Sequence, residues 1–111
     1  MISDPRWAES LAKGRLIEES AFNEYWMLLM QIDEPIGVFD YPYRMFFFKE
    51  GNSIPVLILS LEIGRLFGTC ALGAHNESAH KNFGEADKNM TLEEFKNWAL
   101  SVAPKELSEI E

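Results

Sequence analysis

Between residues 44 and 74 the chain carries three long apolar runs separated only by short turn clusters, and this feature most constrains the fold. Residues 44–49 hold three successive Phe, residues 54–62 are rich in aliphatic and β-branched side chains, and residues 65–74 form the third run. Gly51-Asn52-Ser53 and Ile63-Gly64 supply the turns. Connections this short oblige neighbouring strands to run antiparallel. Pro55 sits near the start of its run, where its missing N–H breaks no interior ladder. With a shorter candidate at residues 36–40, the pattern predicts a meander of three or four strands. The apolar residues are continuous rather than alternating, so the sheet needs cover on both faces.

Helical signals flank this meander. Asp4 with Pro5 reads as an N-terminal cap followed by a first helical position, and Gly14 as the stop. In residues 18–31, Phe22, Tyr25, Trp26, Leu29 and Met30 match the spacing of a buried helical stripe. Near the C-terminus, Thr91 with Glu94 reads as a capping box, and Met90 with Phe95 as a hydrophobic staple. Leu92, Phe95, Ala99 and Val102 form one stripe, Pro104 is expected to close the helix, and residues 105–111 are expected to fray. Strands segregated from helices indicate a single α+β domain over residues 1–111. The expected architecture is two N-terminal helices, a three- to four-stranded antiparallel meander and a C-terminal helix packed on the sheet.

Charge and cysteine content narrow the function classes. A formal charge of −8, from 10 basic and 18 acidic residues, disfavours nucleic acid and anionic membranes, whose phosphates bind Lys and Arg. It permits a basic protein partner, because complementary fields steer association. The single cysteine, Cys70, excludes an internal disulfide framework. The opening residues lack the pattern of a signal peptide, and no apolar run approaches the roughly 20 residues that span a bilayer. A cytoplasmic location is expected.

Two segments carry the candidate site residues. Tyr41, Tyr43 and Arg44 lie in Asp40-Tyr41-Pro42-Tyr43-Arg44, of the residue types that anchor interfaces. His75, Asn76, Glu77, His80 and Asn82 lie in a polar stretch, residues 73–89, expected to be a loop. The leading expectation is a non-enzymatic protein-binding domain that neutralises a basic partner, as bacterial immunity proteins do. That comparison rests on size, charge and lack of catalytic motifs. No cofactor, metal or catalytic residue is expected under it. The alternative is a small enzyme or ligand- or metal-binding domain centred on Cys70, His75 and His80. Cys70 would be its nucleophile with a histidine base, or the two histidines would hold a metal with Glu77 or Asp87. A homodimer joined through a sheet edge or an exposed apolar face is the third expectation. Walker, Rossmann, His-Glu-x-x-His, Cys-x-x-Cys and Gly-x-Ser-x-Gly patterns are all absent from the sequence.

Overall fold

A computed structural model describes residues 2–110. The elements are α1 (Trp7–Lys13), β1 (Arg15–Phe22), β2 (Tyr25–Gln31), β3 (Phe39–Asp40), β4 (Tyr43–Lys49), β5 (Leu57–Gly64), β6 (Thr69–Asn76), β7 (His80–Glu85) and α2 (Leu92–Ile110). Among the described residues the strands form one seven-stranded antiparallel sheet in the order β1-β2-β4-β5-β6-β7, with β3 paired to the far end of β5. The chain is mostly β, which corrects the expected two N-terminal helices and three- to four-stranded meander.

The second expected helix is instead the β1–β2 hairpin. Phe22 pairs with Tyr25 across a two-residue turn, and Asn23 takes the positive φ of 55° that such a turn requires. Tyr-Trp-Met-Leu-Leu-Met is apolar at every position, so it fits a helical stripe and a doubly covered strand equally well. Position decides for the strand. Tyr25, Met27 and Leu29 face one layer and Leu28 and Met30 the other, and both layers are occupied. Leu and Met favour helix, but packing overrides that preference here.

Three further boundaries move. Residues 65–68 form the β5–β6 turn, so β6 starts later and runs on to Asn76. The expected loop contains β7, a polar edge strand whose residues give no hydrophobic signal. The last helix continues through Pro104 to Ile110, so the expected stop and frayed tail are corrected as far as residue 110; Glu111 lies outside the described residues. Pro104 removes one i to i−4 hydrogen bond. The loss is offset by packing on either side of it: Ala103 and Leu107 are buried in the core, and Glu106 pairs with Lys81 of β7 at 3.1 Å.

The sheet separates two unlike layers. On one side α2 lays Phe95, Ala99, Ala103 and Leu107, spaced four apart, over Met45, Phe47, Leu59 and Leu61. This is the principal core. Its helix is started by the expected capping box. The Glu94 N–H donates to Thr91 Oγ1 at 3.2 Å, and the Thr91 N–H donates to Glu94 Oε1 at 2.9 Å. On the other side Ile2 packs with Met30, Phe46 and Ile58, joined by Trp7 and Leu11 of α1. Asp4 accepts from the Arg6 N–H at 2.9 Å, which organises the entry to α1. Gly14 ends α1, in extended rather than left-handed conformation; a Cβ there would lie 2.8 Å from the Ser10 carbonyl oxygen.

Candidate functional site

The second layer is polar along one row. Arg44 of β4, Ser60 and Glu62 of β5, Gly73 and His75 of β6 and His80 of β7 share a face, as their cross-strand register dictates. The row falls into two parts.

The first part is centred on Arg44, which is fully buried. Its Nη2 forms an ion pair with Asp4 Oδ2. Its Nε donates to Ser60 Oγ at 2.8 Å and its Nη1 to Ser10 Oγ at 2.7 Å. The guanidinium carbon stands 3.9 Å from the centre of the Tyr41 ring. Burial raises the Tyr41 hydroxyl above its ordinary pKa, with the Arg44 charge opposing. These groups pair with one another inside the chain rather than facing a partner. Tyr41 is buried as well, and Tyr43 is half-buried against Phe95 of α2. The expected aromatic anchors are therefore turned inward: Tyr41 stacks on Phe39 and Tyr43 joins the principal core.

The second part brings His75 and His80 together. They are direct cross-strand partners on either side of the β6–β7 turn, and their rings stack with centres 4.3 Å apart. Asn76 holds that turn by accepting from the Ser78 and Ala79 N–H groups at 2.8 and 2.9 Å. Glu62 reaches across from β5. Its Oε1 lies 2.9 Å from His80 Nε2 and its Oε2 lies 3.4 Å from His75 Nε2. Burial alone would raise the Glu62 carboxyl. The hydrogen bonds to His75 and His80 outweigh it and hold the group below its ordinary value. The carboxylate fits only because residue 73 is glycine. A Cβ there would lie 2.0 Å from Glu62 Oε1 and 2.9 Å from His80 Nε2.

The N-terminal segment closes the cluster from the side. The Ser3 N–H donates to the Asn76 carbonyl at 2.9 Å, and Ser3 Oγ donates to the Ala79 carbonyl at 3.0 Å. The same oxygen lies 3.4 Å from His75 Nδ1. His75 is buried, whereas the His80 side chain is 43% exposed and opens the cluster to solvent.

Of the remaining candidates, Asn82 shares the row as the cross-strand partner of Gly73, and the others lie elsewhere. Cys70 is on the opposite face of β6, packed against the principal core, and burial followed by the nearby Asp87 charge pushes its thiol pKa up. A thiolate nucleophile needs the reverse. A Cys70–His75 couple is therefore separated by the sheet itself. Glu77 sits in the β6–β7 turn, and Asp87 accepts from the Asn89 N–H at 2.8 Å, so neither is the carboxylate beside the histidines. Asn82 accepts from the Gly84 N–H at 2.7 Å and shapes the bend in β7. Glu62 was not singled out from the sequence. Its signal is parity: Ser60 and Glu62 are polar positions two apart in an otherwise apolar run, so they face the same way.

A different surface is apolar. Leu66 and Phe67, at the tip of the β5–β6 turn, are 72% and 77% exposed. The Arg65 N–H donates to the Val38 carbonyl at 2.9 Å, which brings exposed Val38 beside them. Arg65 Nε lies 3.9 Å from Asp40 Oδ2. A groove next to this tip is lined by Gly68, Thr69, Cys70, Glu85, Asp87 and Lys88, among others.

No family model, curated protein or solved structure matches the chain. Among the described residues no helix is long and apolar enough to cross a membrane.

Proposed function

We propose that the chain is a non-enzymatic binding protein of the cytoplasm that engages a basic protein partner through the tip of the β5–β6 hairpin. The observation that carries this reading is the exposure of Leu66 and Phe67, at 72% and 77%. Large apolar side chains grouped at a hairpin tip and this exposed bury little within the chain, and such groups mark interaction surfaces. The carboxylates of Glu85 and Asp87 line the groove beside the tip, and the chain carries −8 overall. A partner offering an apolar socket ringed by Lys and Arg complements both features. Neutralisation of a basic toxin, the role of bacterial immunity proteins, is one function of this kind. A lone thiol without a disulfide partner suits the cytoplasm.

Co-expression with the product of a toxic neighbouring gene tests the proposal. Protection and a stable complex are expected, and both should be lost in Leu66→Asp/Phe67→Asp. Stability in that variant should stay within about 0.5 kcal/mol, as for other exposed positions. Absence of both protection and complex sinks the reading. A second reading, a homodimer through the β1 edge, draws on the exposure of Leu16 and Ile17 on that strand. Sedimentation at two concentrations decides it, and a monomer at both rejects it.

A further inference from the structure

We infer that Glu62, His75 and His80 form a binding site for a divalent transition-metal ion of the zinc class, with a coordination position open to solvent beside His80. The three donor atoms lie within 4.8 Å of one another. A tetrahedral ion with bonds of about 2.0–2.1 Å needs donors about 3.3 Å apart. Glu62 Oε1 lies 2.9 Å from His80 Nε2 and Oε2 lies 3.4 Å from His75 Nε2, so rotation of the carboxylate and of the stacked rings brings one oxygen and both nitrogens to that spacing. One carboxylate and two imidazoles are a ligand set that zinc accepts in sites with an open position.

In the metal-free chain the Glu62 carboxylate bridges the two rings, with Oε2 3.4 Å from His75 Nε2 and Oε1 2.9 Å from His80 Nε2, and a metal ion would bind there in place of the protons that these contacts share. Ser3 Oγ, 3.4 Å from His75 Nδ1, stands where zinc-binding histidines ordinarily have an outer partner. Glycine at position 73 keeps the space clear, since a Cβ would lie 2.0 Å from Glu62 Oε1. The carboxylate comes from β5, in place of the Glu77 or Asp87 of the sequence reading.

Titration of the full, chelator-treated chain with Zn²⁺, followed by calorimetry and thermal unfolding, tests the inference. One ion per chain should bind, and Tm should rise by about 10 °C at 100-fold excess over Kd. Co²⁺ should give the intense visible bands of a four-coordinate site without a thiolate charge-transfer band, because Cys70 lies across the sheet. Glu62→Gln and His80→Ala should each weaken Zn²⁺ binding about 100-fold or more, since outer-shell changes alone cost 10- to 100-fold. His80 is exposed enough for its variant to fold, and Glu77→Gln should bind as the parent does. Failure of the parent chain to bind Zn²⁺ overturns the inference. So does a loss of less than 10-fold in either ligand variant, or a thiolate band with Co²⁺.

Discussion

Removing the carboxylate of Asp4 should destabilise the chain far more than a typical substitution near a terminus. In Asp4→Ala the Arg44 guanidinium keeps the Ser10 and Ser60 hydroxyls, at 2.7 and 2.8 Å, but loses the carboxylate that balances its charge. Both side chains of the pair are buried, at 0% and 3% exposure, so water cannot replace the carboxylate without opening the layer. Breaking a buried pair from one side costs about 3–5 kcal/mol. That is a large share of the roughly 5–15 kcal/mol that holds a domain together. At about 4 °C per kcal/mol for a chain of this size, Tm should fall by roughly 12–20 °C. Replacing both partners, as Asp4→Ala/Arg44→Met, should restore most of the loss, because an apolar substitute leaves no charge stranded. Equilibrium urea unfolding followed by Trp fluorescence gives all four corners of the cycle. An Asp4→Ala cost below about 1 kcal/mol would refute the reasoning, as would a double variant whose cost equals the sum of the singles. The result bears on the site as well, because Asp4 anchors the segment that places Ser3 against His75.

Three other outcomes follow from the packing. Gly73→Ala should cost about 1–3 kcal/mol, because its new methyl meets the side-chain ends of Glu62 and His80, and it should separate Glu62 from His80; imidazole ¹⁵N shifts compared with urea midpoints would show the two effects apart, and unchanged His80 shifts would contradict this. Thr91→Ala should lose about 1 kcal/mol through the missing N-cap, read from the urea midpoint, and a neutral effect would argue against the capping box. With its pKa raised, Cys70 should react with a disulfide reagent more slowly at neutral pH than a free thiol, and its rate should climb only at pH values above the ordinary cysteine range; thiolate-like reactivity at pH 7 would contradict its placement against the core.

What the sequence revealed of the fold follows from where local and tertiary signals agreed. The runs at residues 44–49 and 54–62 and the capping box at Thr91 are each specified by nearby residues, and they appear where expected within a few positions. The β1–β2 hairpin was hidden because residues 25–30 are apolar throughout, which erases the difference between a helical and a strand period. Strand β7 was hidden for the opposite reason: as a polar edge it needs no hydrophobic pattern, only the Asn76 turn and the free edge of β6. Pro104 misled because its local cost is outweighed by Leu107, a contact made only once the sheet exists.

The site was half legible. His75 and His80 stood out as residue types, and once β6 and β7 are strands their facing positions follow. The same strand period sends Cys70 to the other side, since positions 70 and 75 differ by an odd number. Glu62 required the register of β5 against β6, which the residues near the turn do not announce. The buried Arg44 was misplaced for a related reason. Its partners Asp4 and Ser10 lie at least 34 positions away in the sequence, so a charged residue that looked like a surface anchor is compensated in the interior.

The most direct test of the account is whether Glu62 holds both imidazoles in metal-free solution. Long-range ¹H–¹⁵N correlation spectra of the two histidines, recorded for the parent chain and for Glu62→Gln, measure this. The account predicts that the Nε2 resonances of His75 and His80 both move when Glu62 is neutralised, because one carboxylate serves both rings. Spectra in which neither histidine responds would contradict it.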